Sequence, residues 1–203
     1  MRIPGLASAV SLVAALASAE TFAQTTSAEA ERLLFDVRGV AVAVSPELSA
    51  QDQATVRELV RQSERTATPF RYYASIAYSP DEGLLTEALQ GAMNFHSPER
   101  ADAAAIAACN AARKPGTRPC TIAGRVLPRG WEPRPLQLSF DATNAFERVY
   151  RRAASPKALA ASPTGGAWGL GRGGDAAAAA LADCNRQAGA AGAPADCRVV
   201  LSE

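Results

Sequence analysis

Ile106-Ala107-Ala108-Cys109-Asn110 and, with ten residues between the cysteines, Cys120-Thr121-Ile122 are answered later in the chain by Leu181-Ala182-Asp183-Cys184-Asn185 and, with twelve between, Cys197-Arg198-Val199. Upstream of each block lies a second matching pair. Ser75-Ile76-Ala77-Tyr78-Ser79-Pro80-Asp81-Glu82-Gly83 aligns with Ala158-Leu159-Ala160-Ala161-Ser162-Pro163-Thr164-Gly165-Gly166, sharing Ala, then Ser-Pro, then Gly three positions after the proline. Matched landmarks in the same order read as a duplicated unit. From proline to the first cysteine the earlier copy runs 29 residues and the later one 21, and the extra length falls around residues 84–96.

Each copy reads the same way outward from these landmarks. Residues 52–65 and 142–152 carry apolar side chains at helical spacing, Val56, Leu59 and Val60 in one and Phe146, Val149 and Tyr150 in the other. An extended segment then ends at Ser-Pro, whose proline presets a turn corner while the later glycine supplies positive φ, so a hairpin is expected, with return strands over 84–92 and 167–171. An alanine-rich helix follows, started by Ser97-Pro98-Glu99 in the first copy and capped by Asp175 in the second. Gly- and Pro-rich loops lead to last strands over 121–127 and 198–201. The expected fold is α+β: two tandem αββαβ units, each a small antiparallel sheet with helices packed on one face. The units span 51–127 and 139–203, joined by a Pro-rich linker, 128–138. The segment 20–50 precedes them, and its run 37–44 fits either a strand or part of a helix.

Hydrophobic residues make up 48% of the chain, but 46 of its 203 residues are alanine, so its interior is poor in bulky side chains. Four cysteines, an even number, suit two disulfides in an oxidising compartment. Of the three possible pairings the duplication favours Cys109–Cys120 and Cys184–Cys197, one per unit. Short closed loops of this kind stabilise by ~3 kcal/mol each, a large share of the ~5–15 kcal/mol that holds a domain folded.

Export is expected as well. Arg2, an apolar run over residues 6–17 and Ala17-Ser18-Ala19 before Glu20 match a signal peptide of residues 1–19, with a second small-residue site at Ala23. That apolar run is too short for a permanent span, and no later segment approaches ~20 apolar residues. Without residues 1–19 the chain keeps 20 basic and 20 acidic residues. A neutral exported protein is a poor nucleic-acid binder, and the expectation is a periplasmic or secreted protein that presents its surface to an envelope protein or other envelope component.

The Ser-Pro-x-x-Gly hairpin, the alanine helix with one Cys near its end and the Cys heading a short strand together resemble a repeat of uncharacterised exported proteobacterial proteins. The families concerned are described only as domains of unknown function. The resemblance is closest over residues 140–203 and looser over 70–127, where Leu85 stands in place of Trp168. It implies an exported, disulfide-linked repeat and brings no catalytic residue with it.

Chemistry has few candidates here. His96 is the only histidine; it lies in the extra length of copy one, just before the Ser97 cap, and is expected as an exposed loop or cap residue. An envelope hydrolase would need it, or a carboxylate pair such as Asp81-Glu82, which instead sits at a hairpin tip. Gly169-Leu170-Gly171-Arg172-Gly173-Gly174 fits a phosphate-binding pattern between strand and helix, but a flexible strand-to-helix turn accounts for it, with an anion held near Arg172 as the alternative. Trp131, flanked by Arg129 and Arg134 in the linker, either pins the linker to a unit or serves as a binding anchor. Trp168 is expected in the core, facing the alanine helix. No cofactor or metal is implied. The leading expectation is a non-catalytic exported binding module, with the hydrolase and the anion binder at the Gly169-Gly174 turn as alternatives.

Overall fold

The computed structural model describes residues 25–203, so the expected signal peptide lies outside the described residues. The fold is α+β, with two small antiparallel sheets and the two expected disulfides, Cys109–Cys120 and Cys184–Cys197. Two disulfides fit an oxidising, non-cytoplasmic setting. Among the described residues no helix is long and apolar enough to cross a membrane.

The first unit runs α2 (Ala50–Ser63), β2 (Ala74–Tyr78), β3 (Gln90–Ala92), α3 (Pro98–Ala112) and β4 (Thr121–Pro128). The second runs α4 (Phe140–Ala145, continued by a π turn Phe146–Tyr150), β5 (Lys157–Ala161), β6 (Trp168–Arg172), α5 (Ala176–Ala190) and β7 (Arg198–Ser202). Strand orders β3-β2-β4 and β6-β5-β7 are the same arrangement. The register agrees too: the central strand slips against the last strand between Ile76 and Ala77 in one unit and between Leu159 and Ala160 in the other, which are aligned positions. A shared bulge bends both sheets alike. The residue after each helical cysteine also does one job twice, since Asn110 Oδ1 accepts from Cys120 N at 3.0 Å and Asn185 Oδ1 from Cys197 N at 3.2 Å.

Within each unit the helices take both faces of the sheet rather than the one expected, because alternate strand residues point to opposite sides. Ala74 and Ile76 meet Val56 and Val60 of α2, while Ala77 meets Ala105 and Cys109 of α3. Leu159 and Ala161 meet Phe146 and Tyr150, while Ala158 and Ala160 meet Ala176, Ala180 and Cys184 of α5. Bulky apolar side chains gather on one face, and the disulfide sits on the other, where the partners are alanines.

The described part of segment 20–50, residues 25–50, is shared between the units. Its helix α1 (Ser27–Leu33) buries Ala30 in the second unit's core, where Ser27 N donates to Glu203 Oε1 at 2.6 Å. Its strand β1 (Val40–Val44) then pairs with β4 and extends the first sheet to four strands. The alternation Val40-Ala41-Val42-Ala43-Val44 explains the strand: all three valines pack on the α2 face.

Candidate functional site

The extra residues of copy one end at Met93-Asn94-Phe95-His96, and this stretch meets the second unit. Asn94 has φ 62°, a left-handed conformation that asparagine tolerates better than most residues. Its carbonyl abuts Gly166 so closely that a Cβ there would lie 2.1 Å from the oxygen. A hydrogen bond crosses at the start of α4, where Phe140 N donates to Tyr72 O at 2.9 Å, with the Tyr72 and Phe140 rings edge to face.

His96 is buried at this joint, which corrects the expectation of an exposed loop or cap residue. Ser139 N donates to its Nδ1 at 2.9 Å, so the ring proton resides on Nε2, which donates to Ala167 O at 2.9 Å. Its neighbour Ser97 does cap α3, accepting from Arg100 N. Burial pushes the imidazole below its ordinary value of 6.5, against a smaller upward pull from the Ala167 carbonyl.

Beside the joint opens a cleft of about 740 Å³, walled by residues 93–95, α4 with its π turn, residues 164–168 and the end of α5. The π turn shapes one wall. Arg151 N bonds back to Phe146 O, five residues away, and Phe146 and Tyr150 stack in the core with centroids 5.8 Å apart. Val149, expected on the buried face by helical spacing, is instead 36% exposed on the cleft wall with Arg148, because the wider turn rotates it out of the core. Met93 faces it from the other unit, 37% exposed. Asn144, Gln187 and Asp141 supply polar groups, and Asp141 is the only carboxylate among the lining residues.

Trp168 lines this cleft, half-buried, and packs against the α4 side of its sheet; it does not face the alanine helix as expected. Gly169 and Gly171 take that face. A Cβ on Gly169 would lie 2.4 Å from Ala180 O, and one on Gly171 1.8 Å from Ala176 O, so these glycines bring α5 onto the strand backbone instead of forming a flexible turn. The turn itself is made by residues 173–175, where Gly173 takes φ 81° and its N–H is held by Pro156 O at 2.8 Å. Asp175 occupies the cap position of α5 without making the expected side-chain cap bond. Arg172 is exposed at the end of β6, opposite Lys157.

The linker residues lie elsewhere. Trp131 is half-buried against the cluster of Tyr72 and Tyr73, its Nε1 donating to Gln137 Oε1 at 3.2 Å. Arg134 donates to Leu33 O at 3.1 Å and lies 3.8 Å above the Phe35 ring, tying the linker to the end of α1 and the residues just after it. Arg129 is exposed, with its guanidinium beside Gly39. None of Trp131, Arg129, Arg134 and Arg172 lines the cleft. Asp81 and Glu82 tether the first hairpin tip to the loop before Cys120: Asp81 accepts from Arg118 N and Nε, and Glu82 from Lys114 N.

The cleft residues Met93, Asn144, Val149 and Gln187 were missed from sequence. The signal that pointed toward them was the unequal length of the two copies. Comparison with protein-family models, curated proteins and solved structures returned no match.

Proposed function

We propose that the chain is a non-catalytic, exported binding module that takes a segment of an envelope protein into the cleft between its units. The observation that carries this reading is the cleft itself. Its volume of about 740 Å³ falls within the ~300–1,000 Å³ usual for ligand sites, and its walls set Met93, Val149 and Trp168 beside the polar ends of Asn144, Gln187 and Arg148. A π turn, a form concentrated at functional sites, supports it by presenting Val149 where a regular helix would bury it.

The hydrolase reading has less support. Asp141 stands without a second carboxylate on the cleft wall, and both nitrogens of His96 are engaged in the joint. An anion binder at residues 169–174 is also less favoured, since Gly169 and Gly171 are occupied by helix contact and the Gly173 N–H by the Pro156 carbonyl.

The test is capture from envelope extract with wild type, Val149→Asp, Trp168→Ala and Trp131→Ala. The expected result is one partner retained by wild type and Trp131→Ala and reduced at least tenfold by both cleft variants, with circular dichroism unchanged. A partner held equally by the cleft variants, or turnover of a generic ester or glycan by the purified protein, would refute the reading.

A further inference from the structure

We propose that His96 is an acid-sensitive latch: the neutral ring fastens the first unit to two separate parts of the second, and its protonation frees the 164–168 wall of the cleft.

The geometry requires the neutral ring. Nδ1 is a lone-pair acceptor for Ser139 N–H, and Nε2–H donates to the Ala167 carbonyl. Ser139 is the cap residue of α4, and Ala167 sits at the foot of β6, a carbonyl that also accepts from Ser162 N. A proton on Nδ1 would place two N–H donors head to head and bury a cation at a site only 7% exposed. The ring then has to leave, and both bonds go with it. Phe95, next to it, and Ala167 both line the cleft, so the displacement is felt at the cleft wall. The Tyr72–Phe140 contact does not involve the ring and serves as the pivot.

The charged groups on the surrounding elements do not compensate. Glu99 and Arg100 are exposed in the first turn of α3, and Asp141 is exposed at the start of α4. Asp196 is engaged under the hairpin by the hydroxyls of Ser162 and Thr164, and Arg198 shares a small cavity with the ring. Among the described residues no carboxylate pairs with His96.

The sign follows from linkage. The closed joint holds the ring below its ordinary value of 6.5, whereas the open joint lets it titrate there, so protons bind preferentially to the open form. Closure is unaffected above pH 6.5. Below it the closed-to-open ratio falls by up to tenfold per pH unit until the closed form also titrates.

Because this is the only histidine, its imidazole nitrogens give one resolvable set of ¹⁵N signals in the intact wild-type protein. The expected spectrum at pH 7.5 is the Nε2–H tautomer. Acidification is expected to protonate the ring with a midpoint below 6.5, together with loss of Ser139 amide protection and, in a Trp131→Phe background, a red shift of Trp168 emission. In His96→Gln the coupled change near that midpoint should vanish. An Nδ1–H tautomer, a midpoint at or above 6.5, Ser139 and Trp168 signals that ignore ring protonation, or an unchanged transition in His96→Gln would each overturn the latch. Should His96→Gln fail to fold, the wild-type titration decides by itself. No ligand is used, so the result is independent of the cleft reading.

Discussion

The first unit holds its alanine helix off the sheet with a methyl group, and the second lets the helix rest on bare backbone. Ala92 of β3 and Gly171 of β6 are aligned positions, paired with Ser75 and Ala158 of their central strands. Ala92 packs with Ala105 and Cys109, whereas Gly171 has Ala176 O where its Cβ would be. The same plan is thus met with different spacings. Beyond the common order of elements and strands, what the copies share is small: the two cysteines, the asparagine after the first of them, the Ser-Pro turn and one bulge. Where they differ most, in the extra length around residues 84–96, the chain builds the joint and one wall of the cleft.

The comparison breaks most sharply at Gly171. Gly171→Val is expected to cost about 3 kcal/mol or more, since the obstacle is helix backbone and cannot rotate away. Urea unfolding should show it, with the second unit losing amide protection first. The mirrored change, Ala92→Gly, leaves room and should cost only about 1 kcal/mol. Equal losses from the two would mean that the helices sit at one height after all.

A smaller effect tests what the copies share. Asn110→Ala and Asn185→Ala each leave the N–H of the following cysteine, Cys120 or Cys197, without its acceptor. Each is expected to cost about 1 kcal/mol. Similar values would mark the asparagine as part of the common frame; a loss in one unit alone would show that the duplication is geometric there and not energetic.

How much of this was legible from sequence follows the range of the interactions. The order αββαβ, the disulfide pairing and the Ser97 cap rest on spacing and on neighbours close in the chain, and they could be read. The faces of β6 could not, because a glycine looks the same in a turn and under a helix; only the approach of α5 tells them apart. Val149 was misplaced by a π turn that breaks the helical period. The burial of His96 is not legible from its neighbours in the chain, because its partners, Ser139 and Ala167, lie 43 and 71 residues away. The same holds for residues 25–50, of which one part serves each unit.

The finest contrast concerns the hairpin tips, which are tied down with opposite polarity. In the first unit the tip carries the acid: Asp81 takes Arg118 N at 2.7 Å and Nε at 2.6 Å. In the second the loop carries it: Asp196 takes the hydroxyls of Ser162 and Thr164. Bonds from the Arg118 backbone and side chain hold Asp81 below the usual carboxylate range; burial pushes Asp196 up, but the two hydroxyls bring it below that range too. Both tethers should therefore be complete above pH 3.8 and fade as pH falls through the lowered values, because the unfolded chain binds protons first. Salt should separate them. Asp81–Arg118 is an exposed ion pair, so 0.5 M NaCl, with a Debye length of only ~4 Å, is expected to weaken it. The Asp196 bonds go to neutral hydroxyls and should not respond. Amide exchange reads both tips at once, through Arg118 N and through Gly165 N, which donates to Ser162 Oγ at 2.8 Å. Protection lost at Arg118 and kept at Gly165 would confirm the reversed polarity, and equal losses would dissolve it.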